Sequence, residues 1–449
     1  MAINIMEPVI SISGVRGIIG KSLTPEVITR FAASFGTYVK GGRVVVARDT
    51  RLSGEMVKYA VFSGLLSTGC EIIDLEITPT PTAQLLTEEL KAEGGIVITA
   101  SHNPSEYNGL KFISSAGTFL NSSQMRRLLN IYSQNKIKYP SFKITEIKNH
   151  HRGAITFHLK KSLSFLNPAK IAKKHFRVAL DCCNGAGSVI APLLLKRLGC
   201  RVSIINDKLN NPFPHPPEPI GENLSALCHL VRKKKADIGF ALDPDADRLA
   251  IISEKGKPIG EDYTLALVTK FILSKKKGPV VTNLSTSRVM DDVTGKFNCP
   301  LFRSRVGEIN VVEEMKKRKA IVGGEGNGGI IFPPLHYGRD SLIGMGLILR
   351  YLSESGKSIS QLVEELPSYQ MMKKKIPVPR QGTKKSISEI KKYYCREKIN
   401  LLDGIRVTGE DWWIHLRPSG TEPILRLILE AKTAKRAEEL HKTVFELIK

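Results

Sequence analysis

The stretch RVVVARDTRLSGEMVKYAVFSGLLSTGCEIIDLEI, running from Arg43 to Ile77, decides the fold. It opens on a β-branched run, Arg43–Ala47, and closes on a second, Glu71–Ile77, and both read as strands. Between them, Gly54–Gly69 has helical periodicity and ends at Gly69, a helix terminator. Strand, helix and strand in this order argue for a βαβ unit and a largely parallel sheet. A further extended run, Gly95–Thr99, adds to the same sheet.

The pattern recurs outward along the chain. Arg177–Leu180 reads as a strand, Gly185-Ala-Gly187 as a turn, and Ser188–Leu198 as a helix ending at Gly199. Arg201–Ile205 and Ile238–Leu242 are the next strands. A third cycle begins near Gly260, with Tyr263–Leu273 helical and Pro279–Thr282, Ala320–Gly323 and Ile330–Phe332 extended. The end differs: Ile405–Thr408, Trp412–Leu416 and Ile424–Leu429 read as antiparallel strands, and Ala434–Ile448 as a closing helix, a smaller α+β unit. Polar, basic stretches at 135–152 and 367–390 are the expected linkers, and Glu254–Pro258 marks a boundary near 253–260.

Composition sets limits on function. A chain of 449 residues has a length prior of about three domains, and 42% apolar with 24% charged residues is ordinary for a globular protein. No uncharged stretch reaches the ~18 apolar residues of a membrane span, and Met1–Ile10 has no basic n-region, so neither membrane insertion nor a signal peptide is expected. Seven cysteines without a CxxC pair read as free thiols of a cytoplasmic protein. Sixty-seven Lys and Arg against 43 Asp and Glu give a net charge of +24, which raises nucleic acid as a partner. The basic runs, such as Arg232–Lys235 and Lys373–Lys375, are short, scattered and mostly lysine, and only 6% of residues are aromatic. Solvated lysine faces, with a field that draws in small anions, fit better, and no nucleic-acid partner is expected.

Six segments carry chemistry. Thr99-Ala-Ser101-His102-Asn103-Pro104 follows a strand, where open α/β sheets place ligands. Ser101 offers a hydroxyl beside the imidazole of His102, but no G-x-S-x-G surrounds it and Asn-Pro also marks a plain turn. Lys111 lies ten residues on, close enough to share a pocket. Asp243-Pro-Asp245-Ala-Asp247-Arg248 sets three carboxylates at i, i+2 and i+4, a crowding that repels unless a cation sits among them and that suits Mg²⁺. An EF-hand is excluded, because its sixth position would be Arg248 rather than Gly. Gly323-Gly-Glu325-Gly-Asn327-Gly-Gly329 lies between two short strands and is by itself either a plain Gly-rich turn or a ligand loop, in which glycines let backbone approach a ligand and Glu325 and Asn327 offer hydrogen bonds to sugar hydroxyls. Arg417-Pro-Ser419-Gly420-Thr421-Glu422-Pro423 combines a guanidinium, hydroxyls and exposed N–H groups, the parts of a phosphate cradle or of a tight turn. Near the start, Ser13-Gly14-Val15-Arg16-Gly17 adds a cation between glycines.

In order and spacing, these motifs resemble those of the α-D-phosphohexomutase superfamily over nearly the whole chain. The resemblance implies four domains around a central cleft: three α/β domains with mixed, mostly parallel sheets flanked by helices, and a smaller C-terminal α+β domain like the TATA-box-binding protein. The expected divisions are 1–150 with the phosphoserine loop, 151–254 with the metal loop, 255–368 with the sugar loop and 369–449 with the phosphate loop. By the same resemblance Ser101 is a phosphoserine, and Asp243, Asp245 and Asp247 hold one Mg²⁺ that a phosphoserine oxygen completes. Arg248 assists near the transferring phosphoryl, while Lys111, Arg16 and His102 serve proton transfer and charge stabilisation. Glu325 and Asn327 bind sugar, and Arg417, Ser419, Gly420 and Thr421 grip the non-reacting phosphate. The implied reaction interconverts hexose or hexosamine 6- and 1-phosphates through a 1,6-bisphosphate, which also serves as activator. Small sugar phosphates are then the partners of a monomer or homodimer. The metal loop departs from many relatives in having Pro244 and Ala246 in place of Gly, and the sugar loop reads Glu-Gly-Asn-Gly instead of Glu-X-Ser-Gly. That sugar loop resembles those of bacterial and archaeal members acting on glucosamine phosphate, or more broadly on mannose and glucose phosphates.

Overall fold

The computed structural model describes residues 7–141, 145–378, 382–418 and 424–448. Four sheets follow one another along the chain. The first holds β1 (Val9–Ser11), β2 (Gly14–Ile18), β3 (Arg43–Arg48), β4 (Glu71–Ile77), β5 (Gly94–Ile98), β6 (Tyr107–Ser114) and β7 (Ile147–Asn149), in the order β1-β2-β6-β5-β3-β4-β7. Its centre is the expected βαβ unit: β3 pairs parallel with both β4 and β5, while β6 returns antiparallel to β5. The strand β3 is apolar on both sides because both faces are covered. Val44 and Val46 pack under the helices Pro25–Tyr38 and Gly54–Ser67, and Val45 and Ala47 face the opposite core.

The second sheet holds β8 (Arg177–Asp181), β9 (Arg201–Ile205), β10 (Ile238–Leu242) and β11 (Leu249–Ser253), in the order β11-β10-β8-β9. The third holds β12 (Val280–Asn283), β13 (Leu301–Ser304), β14 (Val322–Glu325) and β15 (Gly329–Ile331), in the order β13-β12-β14-β15. Each has a parallel centre closed by one antiparallel hairpin, β10–β11 and β14–β15. The fourth sheet holds β16 (Gln370–Pro377), β17 (Lys398–Asn400), β18 (Ile405–Thr408), β19 (Trp412–Pro418) and β20 (Ile424–Ala431), is antiparallel throughout, and is backed by the helices Gly382–Tyr393 and Ala434–Ile448.

Several local readings of the sequence need correction. The 367–390 stretch is no linker: β16 occupies it, and the helix Gly382–Tyr393 begins in it. Lys373–Lys375 is polar because β16 is an edge strand, and lysines are a common protection for such edges. Part of 135–152 is likewise structured, as β7 and the start of the helix His151–Leu163. The expected helix Ser188–Leu198 is split into a 3₁₀ turn, Ala186–Val189, and the helix Ala191–Arg197. Pro192 explains the split, since it has no N–H to continue a helical ladder through Ile190.

The cores divide unevenly. One apolar cluster runs without a break from Val178 and Phe240 of the second sheet to Val280 and Leu347 on the third. Another joins Val45 and Leu75 of the first sheet to Ile309, Val312 and Met315 of the helix Glu308–Arg318. The fourth sheet keeps a core of its own, which includes Ile390, Val407, Ile414, Leu427 and Leu440.

The helix pair over the first sheet gives a direct test of packing. A Cβ on Gly64 would lie 2.4 Å from the backbone oxygen of Thr29 and 2.7 Å from Ala32 Cβ. Gly64→Ala should therefore destabilise the first domain by about 1–3 kcal/mol, read as a lowered midpoint in urea unfolding. An unchanged midpoint would mean that the two helices separate at no cost.

Candidate active site

Three loops and the end of β19 meet in one cleft of about 370 Å³. The loops follow the carboxyl ends of β5, β10 and β14, the positions where α/β sheets present ligands.

The loop after β5 carries Ser101, which is buried with φ at +52°, in the left-handed region. Its N–H donates to Thr99 Oγ1 (2.8 Å), and Thr99 Oγ1 donates to Asp49 Oδ2 (2.6 Å). Arg51 lies beneath as the anchor. It pairs with Asp49 (3.2 Å) and donates to four carbonyls of the loop: Ser101 (2.6 Å), Asn103 (2.7 Å), Pro104 (2.6 Å) and Tyr107 (2.9 Å). The conformation costs strain, and this buried guanidinium holds it in place. Ser101 Oγ sits 3.3 Å from His102 Nδ1 and 3.4 Å from Asp243 Oδ2.

The acidic loop is the tip of the β10–β11 hairpin, and all three of its carboxylates are fully buried. Asp243 Oδ1 accepts from the N–H groups of Asp247 and Arg248 (both 3.0 Å) and so shapes the loop, leaving Oδ2 towards Ser101. Asp245 Oδ2 accepts from Thr80 Oγ1 and Lys111 Nζ, each at 2.6 Å. Asp247 Oδ2 accepts from Arg339 Nη2 (2.6 Å) and Lys111 Nζ (3.2 Å). Among the described residues, Oδ1 of Asp245 and Oδ1 of Asp247 are buried with no hydrogen-bond partner.

One ligand atom from each of the three residues lies within 4.8 Å of the others. Unpaired carboxylate oxygens out of water are costly, and a hard divalent cation is the group that satisfies them. The donor set therefore fits such an ion, with Ser101 Oγ at its edge. The electrostatics agree. Burial, then Asp247 and Asp245, push the Asp243 carboxyl well above its usual range. Asp247 is buried too, but Arg339, Lys111 and Arg248 outweigh that and hold it below the usual range. Burial works against the Lys111 ammonium, yet Asp245 and Asp247 keep it above its ordinary value, so it is firmly charged.

The other expected residues line the same cleft. Arg16 donates to Asn103 Oδ1 (2.8 Å), and burial pulls its guanidinium down from its ordinary value. His102 is 30% exposed to the cleft, and burial together with Arg248 and Arg16 drives its imidazolium well down, leaving a neutral ring. Arg248 is held by Glu218 (3.0 Å), which also lies 3.8 Å from His102. Glu325 ends β14; its Oε1 accepts from Asn283 Nδ2 (2.8 Å) and Gly307 N (3.0 Å), and its Oε2 from Arg339 Nη1 (2.8 Å). Asn327 Oδ1 accepts from Gly329 N (3.2 Å), and Asn327 lines the cleft. Gly326 is required by close approach, because a Cβ there would sit 2.1 Å from Asp262 Oδ1. Arg417 lies at the end of β19 on the cleft wall; Ser419, Gly420 and Thr421 fall outside the described residues.

Motif reading missed Arg339, Glu308, Thr80, Asn283, Glu218 and Lys373, all of which line the cleft or touch its carboxylates. Asp340 is a readable N-cap of the helix Ser341–Ser355, but nothing in the sequence marks its neighbour Arg339.

Known proteins similar to this chain match it over all four domains. Residues 10–138, 157–256 and 260–369 match the phosphoglucomutase/phosphomannomutase alpha/beta/alpha domains I, II and III, and residues 374–447 the C-terminal domain of the same family. A probable phosphoglucosamine mutase of Pyrococcus abyssi is 38% identical over 97% of both chains. A phosphoglucomutase/phosphomannomutase of Thermococcus kodakarensis is 39% identical over 95% of each. The crystal structure of a phosphoglucomutase/phosphomannomutase family protein from Burkholderia thailandensis aligns with a TM-score of 0.85 at 24% identity, covering 98% of this chain and 96% of that one. Four consecutive domain matches and relatives that share the whole length lead to one conclusion: the chain belongs to the phosphoglucomutase/phosphomannomutase family, within the α-D-phosphohexomutase superfamily.

Proposed function

We propose that this phosphohexomutase interconverts glucosamine 6-phosphate and glucosamine 1-phosphate, with Ser101 as the phosphoryl carrier and the divisions 1–150, 151–254, 255–368 and 369–449 each supplying one loop. The observation that carries the reading is the meeting of a buried, strained serine with the acidic loop of another sheet, Ser101 Oγ against Asp243 Oδ2 at 3.4 Å.

In the first half, phosphoserine 101 gives its phosphoryl to the free hydroxyl of the bound monophosphate. The Ser Oγ–P bond breaks, a bond from phosphorus to the sugar oxygen forms, and the hydroxyl proton leaves to a base that passes it to the freed Ser101 Oγ. His102, held neutral beside Ser101 Oγ, is suited to carry that proton, while Lys111 is pinned by two carboxylates and serves as fixed charge. The 1,6-bisphosphate then turns, and its other phosphoryl returns to Ser101. Arg16, Arg248 and Arg417 face the phosphates, with Ser419, Gly420 and Thr421 expected to complete the grip on the one that does not react. Asp243, Asp245 and Asp247 would hold Mg²⁺, which offsets charge on the transferring oxygens.

The choice of an amino sugar rests on charge. Glu308, Glu325 and Asp262 line the sugar part of the cleft, and burial pushes Glu308 and Asp262 up to about 7. An ammonium at C2 would favour their ionised form and gain the attraction. The name of the Pyrococcus abyssi relative supports the same choice, and that of the Thermococcus kodakarensis relative supports a second reading, a phosphomannomutase/phosphoglucomutase of broader specificity. No helix among the described residues is long and apolar enough to cross a membrane. Phosphorylated substrates and free cysteines go with a cytoplasmic enzyme, acting as a monomer or homodimer and activated by bisphosphate.

Three outcomes test this reading. Intact mass should show a phosphorylated fraction that Ser101→Ala abolishes, together with a loss of turnover of at least about a thousandfold; near-normal activity would remove Ser101 from the mechanism. Chelator should silence the enzyme reversibly, and Asp245→Asn should raise the Mg²⁺ concentration for half-activity more than about tenfold. Full activity in chelator would rule out the cation site. Across glucosamine, N-acetylglucosamine, glucose and mannose phosphates, kcat/KM should be highest for glucosamine by about tenfold or more, a difference of ~1.4 kcal/mol, and Asn327→Ser should change the ratios. A flat profile would favour the broader reading.

A further inference from the structure

Arg339 has no part in the scheme above, yet it is the most heavily engaged side chain in the cleft. Its backbone is fixed on both sides. Arg339 bridges to Ile331 of β15, and the next residue, Asp340, caps the helix Ser341–Ser355 through the N–H groups of Leu342 (2.8 Å) and Ile343 (3.2 Å). Asp340 is itself held by His158 (2.9 Å) and His336 (3.1 Å), in a fully buried cluster.

From this base the guanidinium reaches three carboxylates with three different nitrogens. Nη2 donates to Asp247 Oδ2 (2.6 Å), Nη1 to Glu325 Oε2 (2.8 Å) and Nε to Glu308 Oε2 (3.0 Å). These come from the acidic loop after β10, the end of β14, and the first turn of the helix Glu308–Arg318. Glu308 passes the contact on to the first domain by accepting from Gln84 Nε2 (3.0 Å).

We propose that Arg339 is a positioning residue that couples the cation site to the sugar site. This rests on the reading of Asp243–Asp247 as the cation loop and Glu325 as the sugar carboxylate. By occupying Asp247 Oδ2, the guanidinium leaves Oδ1 as the atom that has no partner in the protein and is open to a cation. By occupying Glu325 Oε2, the same rigid plane sets the carboxylate that a sugar would meet. A planar fork cannot follow one carboxylate without disturbing the other. An ion that draws Asp247 inward therefore pulls on Glu325, and a sugar that orders Glu325 orders Asp247. The coupling is reciprocal, as linkage requires.

The test is calorimetry on the full-length chain in a Ser101→Ala background, where substrate is not consumed. Glucosamine 6-phosphate is titrated with and without Mg²⁺, and Mg²⁺ with and without the sugar phosphate. The parent should show each ligand tightening the other by about 5–50-fold, the span of ordinary couplings. Arg339→Met should reduce that factor at least threefold while both ligands still bind. Arg339→Lys keeps the charge but lacks the fork and should also fall short of the parent, so it carries the test if the Met variant does not fold. Arg16→Met removes a cleft cation bonded to none of these carboxylates; it should weaken sugar-phosphate binding and leave the factor within twofold. A factor unchanged in both Arg339 variants would overturn the proposal. So would an equal loss in Arg16→Met, which would mean that general cleft charge carries the coupling. Absence of Mg²⁺ binding both in this parent and in the chain with Ser101 intact would instead overturn the cation-loop reading beneath it.

Discussion

Three carboxylates on one five-residue loop, Asp243, Asp245 and Asp247, are withdrawn completely from water. Stripping an ion of water costs several kcal/mol even after relaxation, and like charges at this spacing add to that cost. Arg248, next to Asp247 in the second domain, offsets only part of it. Compensation comes from Lys111 on β6 of the first sheet, Thr80 at the head of the helix Thr80–Glu89, and Arg339 beside the third sheet. The positions of the first and third domains relative to the second are thus tied to an electrostatic demand. Lys111, only 2% exposed, is affordable as a buried cation because its anions are already there.

The sequence was legible wherever chemistry and local structure coincide. Ser101, the three aspartates, Glu325 and Arg417 each stand at or just past the end of a strand, and both the strand and the site chemistry can be read within a few residues. What was hidden acts over distance. Arg339 meets Asp247 across 92 residues of sequence, and Gln84 meets Glu308 across 224. Arg51 lies in an unremarkable turn yet anchors a loop 50 residues further on. No local periodicity reports such partners. The misreading of β16 as a linker has a different cause: an edge strand carrying lysines has the composition of a connector, and only its pairing with β20 tells them apart.

The arrangement of cores separates two kinds of domain contact. The first three domains share apolar clusters and are joined as parts of one interior. The fourth meets the third mainly through polar contacts: Ser285 with His415 (2.9 Å), Val306 N with Asp403 (3.0 Å), Arg288 N with Glu430 (2.9 Å), and Arg305 with the Leu402 carbonyl (2.9 Å). Water can replace hydrogen bonds of this kind, whereas it cannot replace a shared apolar core. Displacing the fourth domain, which carries Arg417, leaves its own core intact and costs far less than displacing either neighbour of the second.

The left-handed backbone at Ser101 has a consequence for which hydroxyl amino acid can occupy the position. Serine and threonine are interchangeable as phosphoryl acceptors on chemical grounds alone. They are not interchangeable here, because a β-branched side chain at a φ of +52° collides with its own backbone. The Arg51 bonds that fix this φ therefore also restrict the residue's identity. A threonine at this position would need a differently built loop, so the backbone, and not the reactivity of the hydroxyl, closes that route to divergence.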